Sequence, residues 1–455
     1  MNSWIGTERL HRLTRAGLFA VVLLVLVLPA AYGAGTQIWL KRYNGPGNDV
    51  DEASAVTVDA AGNVYVTGRS TGYASDADYF TIKYGPGGWK KWTARYDGPA
   101  GKWDGARAIA VDANGNVYVT GRSFGVGSHA DFATIKYDRD GKQQWVRRYS
   151  GPGYADDGAM GIAVDSAGNV YVTGFSTGSG TLYDFVTIKY GPGGWPQWTR
   201  RYDGPAGAGD IAQAIGVDGS GNVYVTGPSK GEGTNFDYAT VKYNTDGVVQ
   251  WVRRYNGSSN GNDGSTAIAV SDYGYVWVTG YSYRPQTSAD YVTIRYGPGG
   301  WAQWTERYDG PAHSGDVPWG VATMNGYAYV TGSSAGVGSD TDYATIKYGR
   351  SGEQMRVRRY NGPGNGADVA NAIAASGWRV YVTGYSRGAG TDGDYATIAY
   401  GGGLWPKWLR RYNGAASEFD QANAVAIAPS GEVVVTGGST GVSSKSDYTT
   451  IKYAP

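Results

Sequence analysis

Short apolar runs alternate with polar, glycine-rich segments along the chain from residue 36 onward. One stretch shows their order at residues 106–111 (ARAIAV), 116–120 (NVYVT), 131–137 (DFATIKY) and 145–149 (WVRRY). Within each run two kinds of side chain alternate, and a period of two indicates β-strands. No long run of helical spacing occurs outside the first thirty residues. The pattern therefore predicts an all-β chain with four strands in each unit.

The tripeptide Val-Thr-Gly marks an internal repeat of these four-strand units. Successive copies are separated by 53, 53, 53, 53, 52, 52 and 53 residues. A repeat of this length with four strands is typical of a β-propeller, in which each unit forms one blade. Eight copies predict eight blades, and their threonines are Thr67, Thr120, Thr173, Thr226, Thr279, Thr331, Thr383 and Thr436.

Counting the fourth strands predicts how the ring closes. Seven fourth strands lie inside the chain, and the last unit ends with its third strand at Tyr453. A matching strand occurs at residues 38–43 (IWLKRY). We therefore expect the eighth blade to combine residues 422–453 with residues 38–43. Closing the ring in this way leaves no free sheet edge between the first and last blades.

A second period of about 106 residues spans two units. The turn before the fourth strand reads GPGGW at residues 85–89, 191–195 and 297–301, and GGGLW at 401–405. The intervening copies read DRDGKQQW, NTDGVVQW and GRSGEQMR. Four copies of a two-blade unit favour an even number of blades.

The core AIAVDxxGNVYVTGxSxG and the strand DYATIKY resemble the bacterial SBBP β-propeller repeats, and the likeness covers residues 36–455. The resemblance implies an exported or cell-envelope propeller and supplies no catalytic residues. A weaker likeness to quinoprotein dehydrogenase propellers lies in the Gly-x-x-x-Trp turns at residues 141–145 and 247–251. It implies that each tryptophan docks on the neighbouring blade. The chain has no cysteine for the cysteine pair of that family.

The first 33 residues have the organisation of a signal peptide. Three arginines precede an apolar run at residues 16–28, and Ala31 and Gly33 supply small side chains before a cleavage site. An uncleaved membrane anchor is the alternative, but the run is short for a span of about 20 residues. We therefore predict residues 1–33 as a signal peptide and 34–455 as one propeller domain. The expected destination is the periplasm, the cell surface or the medium, without a membrane span.

Charge and cysteine content exclude several classes of function. The formal net charge is +1 for the whole chain, and residues 34–455 carry 37 basic and 38 acidic residues. This balance predicts no binding to nucleic acid. The absence of cysteine excludes disulfides, thiolate chemistry and cysteine metal sites. We expect a monomer and predict no cofactor.

The connections between strands predict two different faces of the disc. The first-to-second and third-to-fourth turns are short and repetitive and share one face, here called the turn face. The second-to-third and fourth-to-first connections are near ten residues long, vary between copies and share the opposite face, here called the loop face. Variable loops on a rigid scaffold are the usual place for a binding site. The sequence therefore predicts binding on the loop face.

Motifs that recur in most blades are interpreted as structural. Gly-x-Ser-x-Gly occurs in seven units, and only two histidines follow residue 33, so we predict a turn at the start of a loop rather than a hydrolase nucleophile. Partial Asp-x-Asp-Gly matches at residues 138–141 and 244–247 are interpreted as ordinary turns rather than calcium loops.

Two sets of eight aspartates also recur. We expect them to cap backbone N–H groups or to pair with the recurring arginines. The alternative is a ring of carboxylates that binds a cation or a basic ligand at the channel mouth. The sets are Asp51, Asp104, Asp157, Asp210, Asp263, Asp316, Asp368 and Asp420, before the first strands, and Asp78, Asp131, Asp184, Asp237, Asp290, Asp342, Asp394 and Asp447, at the third strands.

Residues that depart from the repeat on the loop face are the candidate ligand-binding residues. Exposed aromatic and arginine side chains are good anchors for glycans or proteins. The alternative is loop drift with partial burial. The two histidines among them lie in opposite blades, which argues against a shared metal site. The candidates are Trp103, His129, Tyr154, Tyr183, Phe236, Arg284, His313, Trp319 and Phe419.

The sequence predicts a non-enzymatic binding or scaffold propeller that holds a polysaccharide or a protein, because no reactive residue type forms a unique cluster. We predict no catalytic residue and no metal ligand. The alternative is an enzyme (a lyase, a hydrolase or a quinoprotein-like oxidoreductase) with its site at the channel mouth. A structural surface-layer component is a third possibility.

Overall fold

The structure is a computed structural model that describes residues 33–73, 76–127 and 129–455. The unit Gly33–Pro455 is compact, and its described residues contain no helix. Accordingly, no described segment is a helix that could cross a membrane. The predicted signal peptide, apart from Gly33, lies outside the described residues.

The described strands form eight antiparallel four-stranded sheets, numbered here as blades 1 to 8. Blades 1 to 4 comprise β2 Asp51–Val58, β3 Val64–Thr71, β4 Ala77–Tyr84 and β5 Lys90–Tyr96; β6 Asp104–Val111, β7 Val117–Phe124, β8 Ala130–Tyr137 and β9 Gln143–Tyr149; β10 Asp157–Val164, β11 Val170–Thr177, β12 Tyr183–Tyr190 and β13 Pro196–Tyr202; and β14 Ala214–Val217, β15 Val223–Lys230, β16 Phe236–Tyr243 and β17 Val249–Tyr255. Blades 5 to 7 comprise β18 Asp263–Val270, β19 Val276–Arg284, β20 Ser288–Tyr296 and β21 Ala302–Tyr308; β22 Asp316–Met324, β23 Tyr327–Ala335, β24 Thr341–Tyr348 and β25 Gln354–Tyr360; and β26 Asp368–Ser376, β27 Arg379–Arg387, β28 Gly393–Gly401 and β29 Pro406–Tyr412. Blade 8 comprises β30 Asp420–Ile427, β31 Val433–Thr440, β32 Ser446–Tyr453 and β1 Gln37–Tyr43.

The first strand of each blade is the innermost. In blades 1 to 7 the strands follow chain order, and in blade 8 the order is β30, β31, β32 and then β1. Each first strand contacts the first strands of both flanking blades, including β2 with β30. The fourth strand is the outermost. The predicted eight-bladed propeller is therefore confirmed.

Strand β1 closes the ring as predicted. It pairs antiparallel with β32, with Tyr43 opposite Tyr448 and Leu40 opposite Ile451. The Tyr43 ring stacks on Phe80 of blade 1 at a centroid distance of 4.3 Å. β1 therefore completes the sheet of blade 8 and also joins it to blade 1.

The loops are shorter than the sequence predicted. In blade 2 the second strand continues to Phe124 because residues 121–124 pair with the third strand, for example Ser123 with Asp131. Only residues 125–129 connect the two strands. The predicted loop of near ten residues is therefore wrong. The interpretation of Gly-x-Ser-x-Gly as a turn is also wrong, because its serine lies inside a paired strand.

Tryptophans of the fourth strands dock on the next blade, as the quinoprotein resemblance implied. The Trp145 indole donates to the Pro192 carbonyl at 3.4 Å and covers Gly194. Gly194 has φ +81°, and a Cβ there would lie 2.7 Å from the indole ring. Glycine is needed at this position because the backbone is left-handed and the ring lies directly on it.

Deletion of residues 34–43 tests the closure. Loss of β1 exposes the edge of β32 and removes Trp39, which is buried. We expect the free energy of unfolding to fall by at least about 3–5 kcal/mol, the usual effect of losing one large buried aromatic side chain. Chemical denaturation of residues 34–455 and 44–455 measures the difference. Equal stability of the two chains would contradict closure by β1.

Candidate functional site

The aspartates at or shortly before the start of the first strands organise the connection from the preceding blade. In Asp210, which is fully buried, Oδ2 accepts the N–H of Gly204 at 2.6 Å and Oδ1 accepts the N–H of Lys230 at 3.1 Å. The predicted capping role is therefore confirmed. Burial raises the pKa of all eight carboxyls in this set, Asp51, Asp104, Asp157, Asp210, Asp263, Asp316, Asp368 and Asp420.

The aspartates of the third strands pair with the fourth-strand arginines. Arg254 Nη2 lies 2.8 Å from Asp237 Oδ2 and also donates to the Ser229 carbonyl at 2.9 Å. Its Nη1 donates to the Ser229 hydroxyl at 2.5 Å and to the Tyr202 hydroxyl of the preceding blade at 3.0 Å. The predicted pairing with arginine is confirmed. The serine of Gly-x-Ser-x-Gly is buried and bonded to this arginine, so it is not placed to attack a substrate.

A third aspartate joins the two sets at three blade junctions. It comes from the DGPA connection, and one carboxylate oxygen from each residue lies within 4.8 Å of the others in three groups: Asp78, Asp97 and Asp104; Asp184, Asp203 and Asp210; and Asp290, Asp309 and Asp316. These are the described groups that could hold a metal ion by geometry.

The groups are nevertheless occupied by protein donors. In the third group, Arg307 Nη1 lies 2.6 Å from Asp290 Oδ2, and the N–H of Gly310 donates to Asp316 Oδ2 at 2.6 Å. The third carboxylate, Asp309, binds His313 Nδ1 at 2.6 Å, which raises the pKa of that imidazole. A guanidinium bound to the carboxylates competes with a cation at the same position. We therefore interpret these groups as hydrogen-bonded connections between blades.

Three aromatic candidates of the loop face contact side chains of the same blade or of the adjacent blade. Tyr183 lies on Phe175 with a centroid distance of 4.8 Å, and Phe419 lies 5.1 Å from Tyr385. The Lys230 ammonium lies 5.6 Å from the ring centroid of Phe236. Tyr183 and Phe236 are half-buried, as the alternative of loop drift with partial burial expects, whereas Phe419 is 46% exposed.

Two tryptophans among the candidates lie closer to the axis. Trp103 is half-buried beside Gly105, immediately before β6. Trp319 lies in the innermost strand β22 at a β-bulge between Pro318 and Gly320, and it is 47% exposed. The bulge adds one unpaired residue to the strand, which directs the Trp319 side chain out of the ladder.

The other four candidates are single polar or aromatic side chains at separate places. Tyr154 is 80% exposed, and His129 and His313 are exposed, in three different connections. Arg284 is half-buried at the end of β19. Leaving aside His129, no ring contact or hydrogen bond between described residues joins two members of the candidate set. The nine candidates are spread around the ring and do not converge on one pocket.

Sequence reasoning missed four exposed tryptophans at equivalent positions on the turn face, where Trp378 of a first-to-second turn is also exposed. Trp89, Trp195, Trp301 and Trp405 are 60, 74, 77 and 56% exposed. They end the third-to-fourth turns of blades 1, 3, 5 and 7, so successive tryptophans are two blades apart. The two-blade period of the GPGGW turn marks these tryptophans in the sequence, but it was interpreted only as evidence of a duplication.

The turn holds the indole outward in blade 3, whereas in blade 1 the Trp89 ring lies over Gly85 and Gly87 of its own turn. In blade 3 the N–H of Gly191 donates to the Trp195 carbonyl at 2.9 Å, and the N–H of Gly194 donates to the Gly191 carbonyl at 2.8 Å. These two bonds fix the Trp195 backbone at the rim, while its indole stays in solvent. The four exposed indoles are here called the tryptophan rim.

Arginines of the preceding blade lie against three indoles of the tryptophan rim. The guanidinium of Arg147 is 5.0 Å from the centroid of Trp195, and that of Arg253 is 5.3 Å from the centroid of Trp301. Trp405 has Arg356 at 3.7 Å and Arg358 at 5.2 Å. A cation over an indole within about 6 Å is attracted by the ring.

The concavities of the described surface include one on each face. One of about 740 Å³ lies on the turn face at the inner turns of blades 7, 8 and 1, and Asp59, Arg379 and Ser430 are among its lining residues. Both oxygens of Asp59 already accept hydrogen bonds, for instance from the Tyr65 hydroxyl at 2.8 Å. A loop-face cavity of about 520 Å³ includes Arg387. Neither cavity is lined by a described histidine, and neither contains a positioned nucleophile and base.

The fold and its recurring side chains define an eight-bladed β-propeller. Three segments, residues 38–73, 144–180 and 197–236, match the SBBP beta-propeller repeat. The resemblance noted from the sequence is thereby confirmed at these three segments. No curated protein matches the sequence.

Solved structures similar to this chain are β-propellers of low sequence identity. Polysaccharide lyase Uly1 is 11% identical with a TM-score of 0.46, covering 76% of this chain and 89% of its own. The β-propeller domain of the Trilobed protease from Pyrococcus furiosus is 8% identical with a TM-score of 0.43, covering 79% and 96%. A glucose dehydrogenase is 12% identical with a TM-score of 0.36, covering 65% and 96%. The likeness extends to the fold alone.

Substitution of Arg254 by Met tests the pairing with Asp237. The two side chains are 23% and 6% exposed, so the change leaves a buried carboxylate without its cation. We expect a loss of about 3–5 kcal/mol in the free energy of unfolding. Arg139→Met is the control, because the Arg139–Asp140 pair is 76% and 82% exposed and its loss has little effect. Equal denaturation midpoints for the two variants would contradict a structural role for the buried pair.

The eight buried first-strand carboxyls predict an unusual pH dependence. A raised pKa means that the folded state binds protons more tightly than the unfolded state, so stability falls as the pH rises through the raised pKa values. The described carboxyls with a lowered pKa are Asp49, Asp59 and Glu432. Their protonation reduces the stability of the fold only below about pH 4.5. We therefore expect the melting temperature to rise as the pH is lowered from about 7 towards about 4.5, close to the usual pKa of the unfolded carboxyls. Calorimetry in matched buffers measures it, and a steady fall over this range would refute the prediction.

Proposed function

We propose that this chain is an exported, non-enzymatic propeller that binds a polysaccharide through the tryptophan rim. The single observation that carries the proposal is the presence of four largely exposed indoles at equivalent positions on one face. Tryptophan is enriched at interaction surfaces, because its ring is apolar while its N–H can hydrogen-bond. An indole offers a flat apolar surface to the C–H face of a sugar ring, and its N–H can serve as a donor.

The spacing of the rim supports a repetitive ligand. Four tryptophan sites on a rigid ring can be engaged by one polymer, and each further contact is then intramolecular. Weak single contacts therefore combine into useful affinity. A polysaccharide supplies identical sugar units along its length, whereas a folded protein partner would need a matching symmetry.

The reactive side chains of the blades support binding rather than catalysis. The recurring serines, aspartates and arginines are bonded to one another within each blade, as for Ser229, Asp237 and Arg254. A lyase or hydrolase needs an acid and a base free to reach the substrate. We therefore expect the bound polysaccharide to be released chemically unchanged.

Replacing all four rim tryptophans by alanine tests the proposal. We expect retention on immobilised polysaccharides to fall by at least about tenfold, because stacking of each indole is worth on the order of 1 kcal/mol. The matched control is a loop-face variant with Trp103, Tyr154, Trp319 and Phe419 replaced by alanine, which removes the same number of aromatic side chains.

The outcomes separate the two faces. Binding that is lost only in the rim variant supports the proposal. Binding that is lost only in the control variant would return the site to the loop face predicted from the sequence. Chain shortening of the polysaccharide by the wild-type protein would favour the enzymatic alternative, and absence of polysaccharide binding by wild type would reject the proposal.

A further inference from the structure

The arginines beside the tryptophan rim are held in place by the backbone. Arg147 Nε donates to the Gly194 carbonyl at 2.6 Å, and its Nη1 donates to the Val146 carbonyl at 2.8 Å. Arg253 makes the same two bonds, to Gly300 at 2.6 Å and to Val252 at 2.8 Å. Two bonds to backbone carbonyls fix the plane of each guanidinium, so little side-chain entropy remains to be lost on binding.

One edge of each guanidinium is left for a ligand. The Nη2 atoms of Arg147 and Arg253 donate to no group among the described residues, and Arg358 is held only through Nε, which donates to the Leu404 carbonyl at 2.9 Å. A guanidinium carries five donors in a fork that matches a carboxylate or a sulfate. At these three places the free donors lie beside an exposed indole.

The other half of the two-blade period lacks this arrangement. Arg200 is anchored in the same way, to Gly247 at 2.7 Å and to Thr199 at 3.0 Å, but its Nη2 donates to the Asp246 carbonyl at 3.3 Å. The turn that it contacts carries Val248 where the rim turns carry tryptophan. The combination of an indole with free guanidinium donors is therefore restricted to alternate junctions, and Arg200 provides a matched internal control.

We propose that the pairs Trp195–Arg147, Trp301–Arg253 and Trp405–Arg358 bind acidic sugar residues, so that the ligand of the rim is an anionic polysaccharide. This inference rests on the proposed function and specifies its ligand class. The indole stacks on the sugar ring, and the guanidinium edge binds the carboxylate or sulfate of the same or the adjacent sugar. The fourth site, Trp89, has Lys41 at the position equivalent to Arg147 and so keeps a positive charge.

The test replaces the three arginines by glutamine, giving R147Q/R253Q/R358Q, and uses R200Q as the control. The probes are polygalacturonate against its fully methyl-esterified form, for carboxylate, and dextran sulfate against dextran, for sulfate. We expect wild type to bind at least one anionic polymer about tenfold or more tightly than its neutral partner. The triple variant should lose most of that preference, because only Lys41 and Arg356 keep a positive charge at the rim sites. It should bind the neutral polymer as wild type does, whereas R200Q should behave as wild type throughout.

Salt supplies an independent readout. Affinity of wild type for the anionic polymer should fall as sodium chloride is raised, and the triple variant should show a shallower dependence, because fewer ionic contacts are broken. Melting temperatures of the triple variant and R200Q establish that both are folded.

Each of the other outcomes would overturn one part of the proposal. An unchanged preference in the triple variant, with binding abolished in the tryptophan variant, would refute the anionic ligand and leave polysaccharide binding standing. Equal loss of neutral and anionic binding would show that the arginines only position the indoles. The proposed function itself would be rejected if wild type bound none of the four polymers and no other polysaccharide in a wider panel.

Discussion

The fourth-strand arginine links three strands and two blades, and the rest of the ring is arranged around it. In blade 4 the Arg254 guanidinium spans from the outermost strand across the third strand to Ser229 of the second, and it also reaches Tyr202 of the preceding blade. The carboxylate that balances its charge, on Asp237, is almost fully buried. Burial makes the pair costly to break and limits its contact with solvent. Because the same contact is repeated at each junction, the orientation of one blade is transmitted to the next.

Ring closure depends on the same interaction. Arg42 of β1 pairs with Asp447 at 2.9 Å and donates to the Tyr412 hydroxyl at 3.2 Å, so the strand from the start of the domain makes the contacts that every other fourth strand makes. The sequence predicted this closure because strand number and spacing are local properties of a repeat. The roles of the recurring acids were also predictable, since a side chain needed eight times is needed by the scaffold.

The binding surface was less predictable, for a physical reason. Departures from a repeat draw attention to residues such as Tyr183 and Phe419, but a departure in one blade is readily compensated by a neighbour such as Phe175 or Tyr385. Exposure cannot be read from one position, because it depends on what the next blade places opposite. Trp195 recurs with a two-blade period and resembles scaffold in sequence, yet no part of the next blade covers it. The extent of the loops was likewise misjudged, since only the pairing of residues 121–124 with the third strand shows that they belong to a strand.

Closure by β1 has a consequence for how the chain folds. Most contacts in this propeller join residues of the same or adjacent blades, which can form early, whereas Arg42 and Asp447 are 405 positions apart in the sequence. The entropy lost on closing so long a loop favours formation of the blades before the ring. Until then the outer edge of β32 and both edges of β1 are unpaired, and open edges invite association with other chains. The slowest and most aggregation-sensitive stage of folding should therefore be the docking of the seven-residue strand Gln37–Tyr43 onto a nearly complete ring.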